Sequence, residues 1–261
     1  MPTLAANISL LFPNLAFPDR IAAAAAAGFR AVECQFPYEW PVADLRARLD
    51  AAGVDMVLLN TPPGDFKAGD RGLAAVPGRE ADFRAALEAA MAYAEGLRCP
   101  QVHVMAGIAQ GKEAAACYVA NLQWAADRLA SAGMTACIEP LNQRDFPGYF
   151  LAGSRHSEQV IESVGRPNLR LQFDTYHLQI IEGDLTTTVR RLLPLIGHIQ
   201  IASVPDRDEP DRGEVDHVNF LAELDRLKWQ GWVGAEYRPS GDTVAGLGWA
   251  ARYGVGAGLL P

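Results

Sequence analysis

Short apolar stretches alternate with longer segments of helical periodicity along the whole chain. The apolar stretches predict eight β-strands, over residues 4–9, 31–34, 54–59, 101–105, 135–138, 169–173, 198–201 and 233–236. The segments between them predict helices, over residues 18–28, 44–52, 79–97, 112–132, 154–164, 185–193, 218–227 and within 243–253. Because strands and helices alternate, we expect a parallel sheet.

The number of these units indicates how the sheet is arranged. Eight strand–helix units in 261 residues, with no break in composition, predict an α/β fold of the (β/α)₈ TIM barrel type, forming a single domain over residues 1–261. An open doubly wound sheet is the alternative, but no glycine-rich nucleotide-binding loop follows any predicted strand. The segment 60–78 is long and rich in proline and glycine, so we expect a lid or binding loop there.

Each of the last four predicted strands ends at a side chain that can bind a metal ion. These side chains are Glu139, Asp174, Gln200 and Glu236. A carboxylate at such a place could instead cap the next helix, but four consecutive occurrences favour a shared site. The carboxyl ends of barrel strands meet at one face, so three carboxylates and one amide oxygen should converge there. That set suits a hard divalent cation and predicts metal-assisted chemistry on a small polar substrate.

Composition narrows the function classes further. Hydrophobic residues make up 49% of the chain, which argues against disorder, and the formal net charge of -8 argues against a nucleic-acid partner. The start of the chain is not basic, and the alanine run at residues 22–27 is too short to cross a membrane, so we expect no membrane association and a cytoplasmic location. The four cysteines show no CxxC spacing, so we expect buried reduced thiols.

Several segments resemble the hydroxypyruvate isomerases, a family of the xylose-isomerase-like barrel superfamily to which tagatose 3-epimerases are related. The likeness covers nearly the whole chain. The segments that carry it are IEPLN at 138–142, FDTYH at 173–177, GAEY at 234–237, PPGDF at 62–66, GDRG at 69–72, and PDR at 205–207 with its continuation to 214.

The resemblance implies a role for each of the strand-end residues. Glu139 and Glu236 would bind the metal and also act as the catalytic acid and base, while Asp174 would complete the ligand set with Gln200. The epimerase relatives carry histidine where this chain has Gln200, so the site is expected to be all-oxygen. One divalent ion, Mg²⁺ or Mn²⁺, is the implied cofactor.

The resemblance also implies a substrate. Hydroxypyruvate would be interconverted with tartronate semialdehyde (2-hydroxy-3-oxopropanoate) through an enediolate, and His177 and Arg207 match residues that contact the substrate in the relatives. His103, on the fourth strand, is a further candidate, with a hydrogen-bonded core histidine as the alternative. We expect Arg207 or Arg71 to bind the substrate carboxylate, with Arg207 favoured. Lys67 and Arg212 are further candidates, and a place on the solvated surface is the alternative for Lys67, Arg71 and Arg212.

Other functions on the same barrel stay open. A 2-oxo-tetronate isomerase or a ketose 3-epimerase-like sugar enzyme would use the same residues. An abasic-site endonuclease would be expected to have a histidine-rich zinc site and a basic face, whereas this chain has five histidines and is acidic. We therefore expect a small 2-keto acid or a sugar-derived molecule as the substrate. A homo-oligomer is compatible with the sequence.

Overall fold

Eight parallel strands close into a barrel in the order of the chain, with β1 paired to both β2 and β8. The computed structural model describes residues 1–256. The strands are β1 (Thr3–Asn7), β2 (Ala31–Cys34), β3 (Asp55–Asn60), β4 (Gln101–His103), β5 (Thr135–Ile138), β6 (Leu169–Asp174), β7 (Ile196–Ile201) and β8 (Trp232–Ala235). The predicted TIM barrel is thus confirmed.

Helices connect successive strands and surround the barrel. They are α1 (Arg20–Ala26), α2 (Val42–Ala52), α3 (Glu80–Leu97), α4 (Gly111–Ser131), α5 (Ser154–Val164), α6 (Thr175–Ile181), α7 (Leu185–Leu192) and α8 (His217–Arg226), with 3₁₀ helices at Phe17–Asp19, Leu193–Leu195 and Ala245–Tyr253. In the described part of the chain, no helix combines the length and hydrophobicity needed to span a membrane.

Two features differ from the sequence expectation. Helix α6 was not predicted: it begins directly after β6, where the Asp174 side chain accepts a hydrogen bond from the Tyr176 backbone N–H at 2.7 Å and so caps the helix. Strand β4 ends at His103 instead of residue 105 because the chain beyond it pairs with the loop between β3 and α3. That pairing includes an antiparallel bridge between Gly72 and Ala106.

The barrel interior changes from apolar to polar along its axis. Near the start of the strands, Ala5, Ala31 and Val57 form a small buried cluster. Asn7 and Glu33 lie two residues farther along β1 and β2, so their side chains point to the same side of the sheet as those alanines. The larger apolar core lies outside, between barrel and helices. This arrangement leaves the carboxyl ends of the strands to polar residues.

Three of the four cysteines are buried as predicted, and Cys117 is not. Cys34, Cys99 and Cys137 are buried, Cys117 is half-buried, and all four are free.

Candidate active site

A cavity of about 180 Å³ opens at the carboxyl ends of the strands. Strand ends supply several of its walls, and the loops beyond them supply the rest. Its lining includes Gln35, Asn60, Phe66, His103, Glu139, His177, Arg207, Glu236 and Arg238. In a TIM barrel this face carries the active site.

The four residues predicted to bind a metal are all buried beneath or beside this cavity. Glu139 and Asp174, together with His177, bring one donor atom each within 4.8 Å of one another, a group that could hold a metal ion. Glu236 lies across the cavity, where its Oε2 accepts from Arg207 Nη2 at 2.8 Å. Gln200 Oε1 accepts from Gln172 Nε2 at 2.6 Å, so the amide oxygen keeps one free lone pair.

Arg207 connects two of the acidic side chains. Its Nη2 lies 2.8 Å from Glu236 Oε2 and 3.4 Å from Asp174 Oδ2, and its guanidinium stacks on the Tyr176 ring at 4.7 Å. The residue adopts φ 58° in the turn after β7. Among residues 1–256, its buried Nε has no hydrogen-bond partner. One donor of Arg207 is therefore free, although its charge is balanced by the protein.

His177 is fixed in one tautomer by a backbone group. Its Nδ1 accepts a hydrogen bond from the Asn142 backbone N–H at 3.1 Å. A backbone N–H can only donate, so Nδ1 must be the acceptor. The neutral ring must therefore carry its hydrogen on Nε2, which lies 3.7 Å from Asp174 Oδ2. Burial, and then the charge of Arg207, lowers the pKa of His177 well below its usual value. A neutral N–H donor directed at the site fits substrate contact better than metal ligation.

Burial also changes the acidity of the carboxyl groups. It raises the pKa of Glu139 well above its usual value, and the nearby charges of Glu236 and Asp174 add to the effect. It raises the pKa of Glu236 to about 7, although Arg207 acts in the opposite direction. The pKa of Asp174 is raised for the same reason. Glu236 can thus exchange protons near neutral pH, and Glu139 holds its proton more tightly than an exposed glutamate does.

His103 lines the cavity with both ring nitrogens unpaired in the described chain. Its Nδ1 lies 3.5 Å from Glu139 Oε2, and burial lowers the pKa of the ring to about 3. A buried histidine normally has hydrogen-bond partners, so these free nitrogens indicate a place for a ligand.

Three cationic loop residues that were candidates for binding the substrate carboxylate lie outside the cavity lining. Arg71 stacks on the ring of Phe66 at 3.7 Å and donates to the backbone oxygens of Phe66 and Asp70. Arg212 is bound to Ser240 Oγ at 2.8 Å. Of Lys67, Arg71 and Arg212, none belongs to the cavity lining.

Sequence reasoning missed the polar layer under the cavity and one arginine at its rim. The missed residues of this layer are Asn7, Glu33 and Gln172, which are at most 2% exposed, and the arginine is Arg238. A signal was present for two of them: Glu33 and Asn7 are polar residues inside predicted apolar strands.

Residues 21–253 match the family model described as xylose isomerase-like TIM barrel. The chain belongs to this family. It is 50% identical to the 2-oxo-tetronate isomerase of Cupriavidus necator, with 97% of this chain and 99% of that protein covered. It is 38% identical to the hydroxypyruvate isomerase of Escherichia coli, with 97% and 100% covered. The resemblance found in the sequence is thereby confirmed.

A crystal structure of a family member, described as AP endonuclease, family 2, from Brucella melitensis, has the same barrel. The TM-score is 0.95 at 42% identity, and the match covers 97% of this chain and 99% of that one.

Proposed function

We propose that this protein is an isomerase that moves a carbonyl group between C2 and C3 of a small 3-hydroxy-2-oxo acid, with hydroxypyruvate as the substrate. The observation that carries the proposal is the pair of buried glutamates, Glu139 and Glu236, which line one cavity from β5 and β8 and have raised pKa values. The names of the relatives support a keto-acid isomerase.

The reaction requires two proton transfers at carbon. One glutamate, ionised, takes a proton from C3, and the other, protonated, gives one to C2, while the hydroxyl hydrogen moves from the C3 oxygen to the C2 oxygen. A carboxyl with a pKa near neutral can serve in either form. The neutral Nε2–H of His177 would donate to the oxygen on which negative charge develops.

The donor set at this site fits a divalent metal ion. Glu139 Oε1 has no hydrogen-bond partner in the described chain, and Asp174 and His177 each bring a donor atom within 4.8 Å of a Glu139 oxygen. We propose Glu139, Asp174, Gln200 and Glu236 as the residues that would hold Mg²⁺ or Mn²⁺, since all of them offer oxygen. When bound, such an ion would polarise the substrate carbonyl.

The substrate carboxylate needs a cation whose charge is not already balanced. Arg207 is paired with Glu236 and Asp174. Arg238 lines the same cavity, and across residues 1–256 its side chain has no hydrogen bond or ion pair. We therefore assign carboxylate binding to Arg238, while Arg207 offers its free Nε to a neighbouring substrate oxygen.

The assignment of Arg238 is tested by comparing two substrates. Arg238→Ala should raise KM for hydroxypyruvate about 10- to 100-fold, the loss expected for a hydrogen bond to a charged group. KM for the uncharged analogue dihydroxyacetone should be unaffected. Arg128→Ala, on α4 and paired with Glu88 outside the cavity, is the control and should leave both values unchanged. Equal losses on both substrates would contradict the assignment.

The proposed activity is tested with the purified protein, stripped of metal and then supplied with Mg²⁺ or Mn²⁺. Hydroxypyruvate should be converted to tartronate semialdehyde only when the ion is present, and in D₂O the product should carry solvent deuterium at C2. Full retention of the substrate hydrogen at that carbon would overturn the enediolate route. No turnover of any 3-hydroxy-2-oxo acid would overturn the function.

2-Oxo-tetronate is the second candidate substrate because the relative of that name is 50% identical to this chain. It has the same 3-hydroxy-2-oxo acid unit with one more carbon, so the same residues could act on it. The two substrates are distinguished by their kcat/KM values on the same preparation. Duplex DNA with an abasic site belongs in the same panel, and we expect no cleavage of it by this acidic chain.

A further inference from the structure

Glu33 is a fully buried carboxylate that does not line the cavity. It accepts hydrogen bonds from three side chains on other strands. Asn7 Nδ2 donates at 3.0 Å, Gln200 Nε2 at 2.7 Å and His198 Nε2 at 2.6 Å. A buried negative charge is tolerated only when donors surround it, so these three bonds account for its presence in the barrel.

An ionised carboxylate can only accept hydrogen bonds, so Glu33 determines how its amide neighbours are oriented. Asn7 must turn its NH₂ group toward Glu33, and the second hydrogen of that group goes to Glu236 Oε1 at 3.0 Å. If the amide of Asn7 were reversed, its oxygen would face two carboxylates.

A second chain of hydrogen bonds from Glu33 runs through Gln200. With its Nε2 on Glu33, its Oε1 accepts from Gln172 Nε2 at 2.6 Å. The other hydrogen of that amide goes to Glu139 Oε2 at 3.0 Å. One buried carboxylate is therefore connected through oriented amides to both proposed proton-transfer groups.

We infer that Glu33 is a positioning residue for the isomerase, acting through Asn7 on Glu236 and through Gln200 and Gln172 on Glu139. This inference rests on the proposed function for its kinetic consequence. It also has a geometric consequence that does not depend on activity. The role explains why a charged residue occurs inside an apolar strand where packing alone would favour valine or isoleucine.

The test uses Glu33→Gln in the metal-supplied protein of residues 1–261. The new amide can donate, so Asn7 and Gln200 are no longer held in one orientation. We expect kcat to fall about 10- to 100-fold, the usual effect of losing a group that orients a reacting residue. KM should change less than about threefold, because the substrate contacts remain. Glu209→Gln, at another buried carboxylate outside the cavity, is the control and should keep wild-type kcat.

Asn7→Ala tests the connection from Glu33 to Glu236 separately and leaves Glu33 two of its three hydrogen-bond donors. Its effect on kcat should not add to that of Glu33→Gln in the double variant, because both changes break the same connection. A crystal structure of Glu33→Gln should show the Asn7–Glu236 hydrogen bond broken. If Glu33→Gln does not fold, Asn7→Ala alone must lower kcat.

The failure of this inference is distinguishable from failure of the proposed function. A wild-type enzyme that is active, with a folded Glu33→Gln variant of unchanged kcat or with additive effects in the double variant, would overturn the inference alone. An inactive wild-type protein would overturn the function. The crystal structure of the variant would then decide the geometric claim, and an intact Asn7–Glu236 hydrogen bond would overturn it.

Discussion

At the residue scale, the burial of Glu139 and Glu236 favours proton transfer but lowers the stability of the folded protein. Burial raises the pKa of each, which means that folding disfavours their ionised forms. The same burial brings the pKa of Glu236 to about 7, near the pH at which a catalytic acid or base is most effective. These two residues are thus expected to contribute to activity at some cost in stability.

Glu139→Gln and Glu236→Gln test that trade-off. Each change keeps the size of the side chain and removes its proton, so kcat should fall about 10²- to 10⁴-fold. The melting temperature should stay constant or rise for Glu139→Gln, because a desolvated carboxyl group is removed. It should fall for Glu236→Gln, because the buried Arg207 loses the charge of its partner at 2.8 Å. Steady-state assays and thermal unfolding check both expectations. A variant that keeps more than a tenth of wild-type kcat would exclude its residue from proton transfer.

Gly234 is required by the packing of Glu33. A Cβ atom at this position would lie closer to the carboxylate oxygens of Glu33 than van der Waals contact allows. Gly234→Ala should therefore lower the free energy of unfolding by about 1–3 kcal/mol. Gly241→Ala, where a Cβ would meet no atom within 4 Å, should change it by less than about 0.5 kcal/mol. Urea unfolding compares the two, and equal effects would contradict the steric argument.

At the scale of elements, the loop after β5 is joined to α6 by one hydroxyl group. Tyr176 Oη donates to Asp145 at 2.6 Å and accepts from Arg144 at 2.9 Å. The ring of the same tyrosine stacks with Arg207. A single side chain on α6 thus contacts both the β5 loop and the cavity arginine.

Tyr176→Phe separates these two contacts. It removes the hydroxyl but keeps the ring, so the free energy of unfolding should fall by about 1–2 kcal/mol, as for a lost pair of hydrogen bonds. Tyr118→Phe is the matched control, because in the described chain the buried hydroxyl of Tyr118 has no partner. That change should be neutral or stabilising. Chemical denaturation of both variants measures the difference, and a destabilised Tyr118→Phe would contradict the comparison.

For the whole molecule, a histidine outside the active site makes stability depend on pH. His217 is buried, donates from Nδ1 to the Pro210 oxygen and contacts Thr175 Oγ1 through Nε2. Burial lowers its pKa to about 4. In the unfolded chain the pKa of histidine is about 6.5. Between these values the unfolded state binds a proton that the folded state does not, so stability is lost as the pH falls.

His217→Gln should remove this contribution. The wild-type protein should lose up to about 1.4 kcal/mol more per pH unit than the variant between pH 6 and pH 4.5. At pH 8, where the histidine is neutral in both states, the pH-dependent difference should vanish. Urea unfolding across this range gives both slopes. Parallel slopes would mean that His217 titrates alike in the folded and unfolded chains.

The sequence by itself determined the barrel and the end of it at which the proposed catalytic residues meet. Eight apolar stretches separated by helical periodicity define elements locally, because side-chain direction repeats with period 2 in strands and 3.6 in helices. The polar residues Glu139, Asp174, Gln200 and Glu236 lie at the ends of four of those stretches or directly after them, so parallel pairing alone brings them to one face.

Only the tertiary structure decided which polar groups bond to each other. Asn7 and Glu236 are 229 residues apart and meet because β1 and β8 close the barrel. The pairing of Arg207 with two carboxylates and the acceptor role of His177 likewise depend on where loops turn in space. Periodic patterns specify which face a residue occupies, whereas partners across a closed barrel follow from strand order, register and loop geometry, which act between distant segments.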